Sequence, residues 1–235
     1  MFGFGRKAQT QEPPRLEAVF VSETGLARDD NQDNVLVSVG HGVFCVADGM
    51  GGGAEGAKAS DVVCRELKMT VHVVEDEFAA RVTAVQNALV EANFEIFSYA
   101  REHGYAQMGS TAAVLVFDPA DRTRAAVVHV GDSRVYRLHR GLAERLTRDH
   151  RLAGCNVLTR AVGGAPTVRC DIREIAVAPG DRFLVCSDGV SGVVSDARLA
   201  VFASGGAIET AAERLAAEVV KAGAPDNYSF VLVSA

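Results

Sequence analysis

The sequence contains no tryptophan, only four tyrosines, and no apolar run that approaches the length of a membrane span. A transmembrane helix needs about 20 predominantly apolar residues, and the N-terminus MFGFGRKAQTQEPPR lacks the apolar core of a signal peptide. The net charge is -6 and there is no dense block of Lys or Arg, whereas nucleic-acid binding requires a basic surface. We therefore expect no membrane insertion and no nucleic-acid partner.

Cysteine is also scarce, and its pattern argues against a disulfide framework. The five cysteines are Cys45, Cys64, Cys155, Cys170 and Cys186; their number is odd and no two form a C-x-x-C pair. Cys45 and Cys186 lie inside apolar, strand-like runs, which favours buried thiols that stay reduced. Together with the missing export signal, this pattern predicts a cytoplasmic protein.

The composition indicates one domain. Of the 235 residues, 48% are hydrophobic, which is enough to bury one sizeable core, and no shift in composition marks a second domain. Residues 1–14 are polar, contain a Pro-Pro pair, and are expected to form a flexible lead-in. We predict a single domain over residues 15–235 and a monomeric protein.

The order of apolar patterns predicts strands, then two helices, then mostly strands. Apolar residues recur at steps of four and three from Phe78, which is typical of a long helix, and a shorter helix is expected before it over residues 54–70. The strand-like runs are LEAVFVSE, NVLVSV, GVFCVAD, TAAVLVFD, RAAVVHVGD, SRVYRLH, GLAERLT, DIREIAVA, RFLVCSD and residues 228–233, with one further helix at 208–222. Connections this short suit antiparallel neighbours, so we predict an α+β fold with helices packed on antiparallel sheets.

The segment VFCVADGMGGGAEGAKAS (43–60) raises two alternatives. Gly51, Gly53 and Gly56 have the spacing G-x-G-x-x-G between a predicted strand and a predicted helix. This spacing indicates dinucleotide binding only where strands and helices alternate, and here a helix follows a helix. The alternative is that Asp48 carries the chemistry while the glycines give the backbone room.

Aspartates recur where apolar runs begin or end. Asp48, Asp132 and Asp188 follow such runs, whereas Asp33 and Asp226 precede them. In antiparallel strands, one sheet edge could gather all five carboxylates, and such a cluster needs cations because like charges disfavour joint ionisation. Oxygen ligands select Mg²⁺ or Mn²⁺ over zinc. Asp-Gly is also a common turn pair, so Asp48-Gly49 and Asp188-Gly189 could each simply be a strand ending.

Eight motifs turn this pattern into a family resemblance. In chain order they are ARDDNQD (27–33), VADGMGG (46–52), MGST (108–111), VGDSRVY (130–136), LTRDH (146–150), NVLTRAVGG (156–164), FLVCSDG (183–189) and DNYSFVLV (226–233). Together they resemble the metal-dependent protein serine/threonine phosphatases of the PPM, or PP2C-like, family in its compact bacterial form. The resemblance implies a sandwich of two antiparallel sheets flanked by α-helices, with metals in a cleft at one end.

The resemblance implies a site for two to three Mn²⁺ or Mg²⁺ ions. Asp48 would bridge two of them, the carbonyl of Gly49 would bind the first, and Asp188 and Asp226 would bind the second. Asp132, together with Asp188, would hold a more weakly bound third ion.

Further roles are implied for the residues around the metals. Asp33 would orient metal-bound water, Arg28 would grip the substrate phosphate with its planar fork, and Gln32 and Asn227 would support the ligands. The implied activity is hydrolysis of phosphoserine or phosphothreonine on proteins, opposing a bacterial Ser/Thr kinase. The alternative from another class is a non-catalytic member of the fold that acts as a binding or sensor module.

Three features depart from the family pattern. Gln32 stands where many members have Glu, and its lack of charge would weaken affinity for one metal. Met50 stands where eukaryotic members have a His thought to protonate the leaving group; one hypothesis gives that role to His150, and the other treats His150 as a packed, hydrogen-bonded residue. Only residues 151–155 separate LTRDH from NVLTRAVGG, where bacterial relatives commonly carry a longer flap. The short flap predicts an open cleft and, with these two motifs, points to a phosphatase of a kinase-controlled secretion system.

Overall fold

The computed structural model describes residues 15–72, 77–155, 157–203 and 205–235, so the lead-in predicted for residues 1–14 lies outside the described residues. The strands are β1 (Glu17–Glu23), β2 (Asp33–Ser38), β3 (Val43–Met50), β4 (Gly109–Ser110), β5 (Ala112–Phe117), β6 (Arg124–Val130), β7 (Arg134–His139), β8 (Leu142–Arg145), β9 (Asp171–Ala176), β10 (Arg182–Cys186) and β11 (Tyr228–Ser234). The helices are α1 (Ala54–Val71), α2 (Phe78–His103), α3 (Asp188–Ser191), α4 (Asp196–Ala203) and α5 (Ile208–Lys221).

The strands form two antiparallel sheets. One sheet has the order β1-β11-β10-β7-β8, and the other has the order β2-β3-β5-β6-β9, with the short β4 paired to β3. The inner strands are covered on both faces, and β5, with the sequence AAVLVF, is therefore buried at every position. The first strand of the chain, β1, pairs with the last, β11, so both ends of the domain are held in one sheet.

Three apolar clusters separate four layers. The central cluster joins the two sheets, where Phe117 contacts Phe44 and Phe183 edge to face with ring centroids 6.1 and 5.6 Å away. A second cluster packs α1 and α2 on the sheet that contains β3, and a third packs α4 and α5 on the sheet that contains β11. Burying one such side chain stabilises the folded state by about 1.5–3 kcal/mol. Many such side chains hold the layers together, so the sandwich supports the loops at its ends.

The long helix α2 follows the predicted period. Its buried residues include Phe78, Val82, Val85, Leu89, Ala92 and Ile96, and Tyr99 at the end of the predicted face is partly buried. The helix ends at Gly104, whose φ of 74° is the left-handed conformation that commonly terminates helices. Two buried polar residues, Arg81 and Asn93, also lie on this helix, and the apolar period gave no sign of them.

The predicted α+β sandwich is confirmed. The dinucleotide alternative fails, because α1 is followed by α2 and every strand pairing in the two sheets is antiparallel. Three short elements, β4, α3 and α4, were not predicted from the sequence. They span 2, 4 and 8 residues, which is too short for a periodic pattern to identify them. No helix within the described ranges is long and apolar enough to cross a membrane.

Candidate active site at one end of the sandwich

Five aspartates meet at one end of the two sheets. Asp33 begins β2 and pairs directly with Asp48 of β3. Asp132 follows β6, Asp188 begins α3 after β10, and Asp226 precedes β11. The expectation of a single sheet edge is wrong, because the first three come from one sheet and the last two from the other. The sandwich packing joins the two strand ends into one acidic site.

A cavity of about 270 Å³ opens over this site. Four of the five aspartates line it, and Asp33 stands behind them with 9% of its surface exposed. The other predicted site residues that line the cavity are Arg28, Gln32, Gly49 and Asn227. His150 is not among its lining residues. The structure therefore brings together every predicted site residue except His150.

The backbone of Asp48 is fixed by hydroxyl groups. The Asp48 N–H donates to Thr111 Oγ1 (2.9 Å), and the Asp48 carbonyl accepts from the Thr111 N–H (2.8 Å) and from Ser110 Oγ (3.1 Å). Thr111 Oγ1 also shares a hydrogen bond of 2.6 Å with Ser133 Oγ, in the strand turn that carries Asp132. These contacts hold the two carboxylate positions in register, which explains the hydroxyl residues of the MGST and VGDSRVY motifs.

Asp33 is also held by a hydroxyl group. Ser187 Oγ donates to Asp33 Oδ2 at 2.8 Å, while Asp33 Oδ1 is buried and has no hydrogen-bond partner among the described residues. The pKa of Asp33 is raised to about 6, chiefly by burial and less by the charges of Asp188 and Asp226, while hydroxyl hydrogen bonding lowers it. A buried carboxyl oxygen without a partner, close to four other carboxyl groups, calls for a cation or a hydrogen-bond donor beside it.

The other carboxyl groups are also perturbed upward. Burial raises the pKa of Asp48 well above its usual range, and the charges of the other four aspartates add to this shift. Burial and Asp188 raise the pKa of Asp132 to about 6, and burial and Asp226 raise the pKa of Asp188. Carboxyls that resist ionisation together are stabilised by divalent cations, and an all-oxygen donor set suits Mg²⁺ or Mn²⁺.

Two of the site carboxylates are paired with arginines: Asp132 Oδ2 lies 3.6 Å from Arg151 Nη1, and Asp226 is paired with Arg28. Within the described residues, no three Asp, Glu, His or Cys side chains are arranged as a complete metal-binding group. Arg28 Nε and Nη2 contact the two carboxylate oxygens of Asp226, each at 2.9 Å. Both side chains are partly exposed, and such a pair contributes little stability and exchanges partners readily.

Asn227 fastens the loop that carries Arg28 and Gln32. Its Nδ2 donates to the carbonyls of Thr24 (2.8 Å) and Asp30 (2.9 Å), and its Oδ1 accepts from the Gln32 N–H (3.0 Å). Asn227 directly follows Asp226, so one amide joins this loop to a carboxylate position. Asn227 therefore ties this loop to the segment that carries Asp226, and its own N–H donates to Asp226 Oδ1 at 2.8 Å.

Gly49 lies where no side chain fits. A Cβ at this position would stand 2.0 Å from the carbonyl oxygen of Gly56 in α1 and 2.7 Å from that of Gln32. The Gly49 N–H donates to the Gln32 carbonyl at 3.1 Å. Close packing of strand, helix and loop therefore requires this glycine.

His150 is a packed, hydrogen-bonded residue. Its Nδ1 accepts from the Gly131 N–H at 3.0 Å and is thereby the unprotonated nitrogen, so Nε2 carries the proton and donates to Asp171 Oδ2 at 3.0 Å. The His150 N–H also donates to the Gly131 carbonyl at 2.8 Å. This geometry favours the packed interpretation over the proton-donor hypothesis, and it makes His150 a support for the turn before Asp132.

His150→Ala is expected to destabilise the fold without changing the pH dependence of turnover. The buried Gly131 N–H would lose its acceptor, which costs about 1–3 kcal/mol. A lower melting temperature, with partial recovery in His150→Asn because the Asn Oδ1 reaches the position of Nδ1, is the expected result. Loss of turnover at an unchanged melting temperature would instead restore the proton-donor hypothesis.

Comparison with known proteins identifies relatives over nearly the whole chain. PstP of Mycobacterium tuberculosis, a serine/threonine protein phosphatase, is 32% identical over 234 residues, covering 90% of this chain and 43% of PstP. The chain thus spans less than half the length of that relative. The serine/threonine phosphatase stp of Listeria innocua is 28% identical and is covered over 95% of its length, with 93% of this chain.

Solved structures agree with the observed fold. A structure described as PppA, a key regulatory component of T6SS in Pseudomonas aeruginosa, superimposes with a TM-score of 0.89 at 31% identity, covering 94% of this chain and 98% of that one. The catalytic domain of PstP in complex with two manganese ions superimposes with a TM-score of 0.80 at 29% identity, covering 93% and 97% of the two chains. The sequence pattern of the family Protein phosphatase 2C matches residues 23–223. Since that match extends over most of the domain and the site lies where its motifs converge, the chain belongs to the protein phosphatase 2C family.

Proposed function

We propose that the protein is a metal-dependent serine/threonine phosphoprotein phosphatase. The observation that carries the proposal is the convergence of Asp33, Asp48, Asp132, Asp188 and Asp226 from two sheets on one cavity. Relatives that cover the chain are named serine/threonine phosphatases, and one related catalytic domain binds two manganese ions. Hydrolysis of a phosphate ester is the chemistry that such a site supports.

Asp48, the Gly49 carbonyl, Asp188 and Asp226 are the proposed ligands of two divalent cations, and Asp132 is the proposed ligand of a third. Bound Mn²⁺ or Mg²⁺ would supply positive charge to the phosphate oxygens and lower the pKa of water in the cavity. The raised pKa values of Asp48, Asp132 and Asp188 support this assignment, because cations would offset both the burial and the mutual repulsion that raise them.

Arg28 is the proposed phosphate ligand. Its guanidinium presents Nε and Nη2 to two oxygens at once, as the bidentate contact with Asp226 demonstrates, and a phosphate offers the same pair of oxygens. A cation held by Asp226 would compete with Arg28 for the same carboxylate oxygens. Arg28 then points a free fork into the cavity that it lines.

Asp33 is proposed to orient the attacking water through Oδ1. This oxygen is buried and unpartnered among the described residues, while Oδ2 is occupied by the Ser187 hydroxyl. A carboxyl with a pKa of about 6 takes up and releases protons near neutral pH. Oδ1 is therefore suited to accept a hydrogen bond from the attacking water and orient it.

The direct test is hydrolysis of p-nitrophenyl phosphate by the purified chain with Mn²⁺, with Mg²⁺ or with EDTA. We expect turnover with the metals and none with EDTA, restored on adding excess Mn²⁺. A phosphothreonine peptide tested in parallel distinguishes a phosphoprotein phosphatase from a general phosphomonoesterase. Folded protein that is inactive with every metal would contradict the proposal. It would favour the binding or sensor module, which the uncharged side chain of Gln32 supports.

The relatives also suggest which proteins this phosphatase would act with. We propose a bacterial Ser/Thr kinase and its substrates as the opposing partners, in the cytoplasm, where the five free thiols of the described chain would remain reduced. PppA is described as a regulatory component of a secretion system, which supports the role suggested by the short flap. Deleting the gene and comparing phosphoprotein levels would test this role.

A further inference from the structure

A second cavity, of about 510 Å³, lies beside the aspartate site. Met50, Gly51 and Leu158 line both cavities, so the two are contiguous. Met50 lines both cavities and stands where eukaryotic family members have a histidine.

The lining of this groove differs in chemistry from the aspartate site. Its apolar side chains include Phe97, Met108, Val157 and Leu158, and Arg101 is the one charged side chain among the residues that line it. Arg101 lies over the Phe97 ring, 5.8 Å from its centroid. A concave and mostly apolar surface with a single charged side chain is typical of a pocket that binds an apolar group.

The groove is fixed by the fold. Buried Asn93 of α2 accepts from the Gly163 N–H at 2.7 Å and donates to the Ala165 carbonyl at 3.1 Å, which fastens the loop opposite Phe97 to the helix. Ser110 and Val162 exchange two backbone hydrogen bonds of 2.9 and 2.8 Å. Since the loop that carries Gly163 and Gly164 is tied to the helix before any ligand arrives, ordering this wall adds little cost to binding.

We propose that this groove binds an apolar side chain of the phosphoprotein substrate, one to three residues from the phosphorylated residue. The inference rests on the proposed function, because only a substrate held in the aspartate site would deliver its neighbouring residues here. An extended peptide advances about 3.3 Å per residue, so a chain leaving one cavity enters the contiguous one within a few residues. Met50 forms the wall between phosphate and apolar side chain.

The test compares two phosphothreonine peptides that differ only in carrying leucine or asparagine at the flanking positions. We expect kcat/KM to be about 10-fold or more higher for the leucine peptide, as one apolar side chain gives in an apolar pocket. Phe97→Ala should remove most of this preference, and so should Val157→Asn, whose site is 56% exposed and therefore not needed for folding. Hydrolysis of p-nitrophenyl phosphate, which does not reach the groove, should stay unchanged in both.

Phe94→Ala is the matched control, because Phe94 lies on the same helix, is 67% exposed and does not line the groove. It should retain the full leucine preference. Equal kcat/KM for the two wild-type peptides, or a preference that survives both groove variants, would overturn the groove assignment while leaving the phosphatase proposal intact. If the wild type hydrolysed neither peptide, binding of the same peptides would be measured by fluorescence anisotropy in the presence of Mn²⁺. Tighter binding of the leucine peptide that is lost in Phe97→Ala would support the groove assignment. Equal binding of the two peptides would overturn it.

Discussion

Asp48→Asn is expected to lower turnover of p-nitrophenyl phosphate by at least about 1,000-fold, or roughly 4 kcal/mol at 1.36 kcal/mol per tenfold. Asp48 is the residue whose pKa responds to all four other aspartates, so it lies at the centre of the charge that would hold the cations. Asparagine keeps the shape and the backbone contacts with Thr111 but removes the charge. The measurement is kcat/KM at saturating Mn²⁺.

The same variant should keep or gain stability when metal is removed. Burial and neighbouring charges raise the pKa of Asp48, which means that its ionised form is unfavourable in the folded protein. Replacing it by a neutral amide removes this cost, and we expect an equal or higher melting temperature in EDTA. Asp61→Asn, at an exposed position of α1, is the control and should change neither quantity. Loss of both activity and stability would show that Asp48 is a structural residue instead.

Mn²⁺ is expected to raise the melting temperature, and EDTA to reverse the change. A cation present at 100 times its Kd adds about 2.7 kcal/mol, which for a domain of this size raises Tm by roughly 5–11 °C. Asp48→Asn should show a much smaller rise, because the proposed bridging ligand is lost. A wild-type Tm that is identical in Mn²⁺ and in EDTA would contradict the metal site.

The size of this metal effect should grow with pH. In the metal-free protein the pKa values of Asp33 and Asp132 are about 6, above their ordinary value of 3.8. Between these values the folded state binds more protons than the unfolded state, so these two groups stabilise the fold at low pH and this contribution is lost as pH rises through 6. Bound cations would relieve that loss. We expect the Tm difference between Mn²⁺ and EDTA to be larger at pH 7.5 than at pH 5; an equal or opposite trend would refute the assignment.

Much of the architecture could be read from local patterns. The burial of the strands and the face of α2 follow from the spacing of apolar residues, because side-chain direction repeats with a period of 2 in strands and 3.6 in helices. The short elements β4, α3 and α4 could not be found this way. Their conformations depend on contacts with distant segments, such as the pairing of Gly49 with Ser110, which local propensity does not encode.

Some residues of the site could be identified from the sequence, and others could not. Carboxylates at the ends of strands and the eight motif strings were enough to name Asp33, Asp48, Asp132, Asp188 and Asp226 as candidates. Thr111, Ser133 and Ser187 were missed as supports, although they lie within or beside these motifs, because a hydroxyl has no pattern of its own until its acceptor is known. His150 carried two interpretations in the sequence, and only the hydrogen bonds to Gly131 and Asp171 chose between them.

The order of residues thus defined which strands form, which carboxylates end them, and which family the chain resembles, since all three depend on neighbours in the chain or on motif strings. The union of carboxylates from two sheets, the pairing of Arg28 with Asp226, and the apolar groove beside Met50 were decided by the folded structure. Each joins segments that are far apart in the chain, and only the packing of one sheet and its helices against the other sets the distances between them.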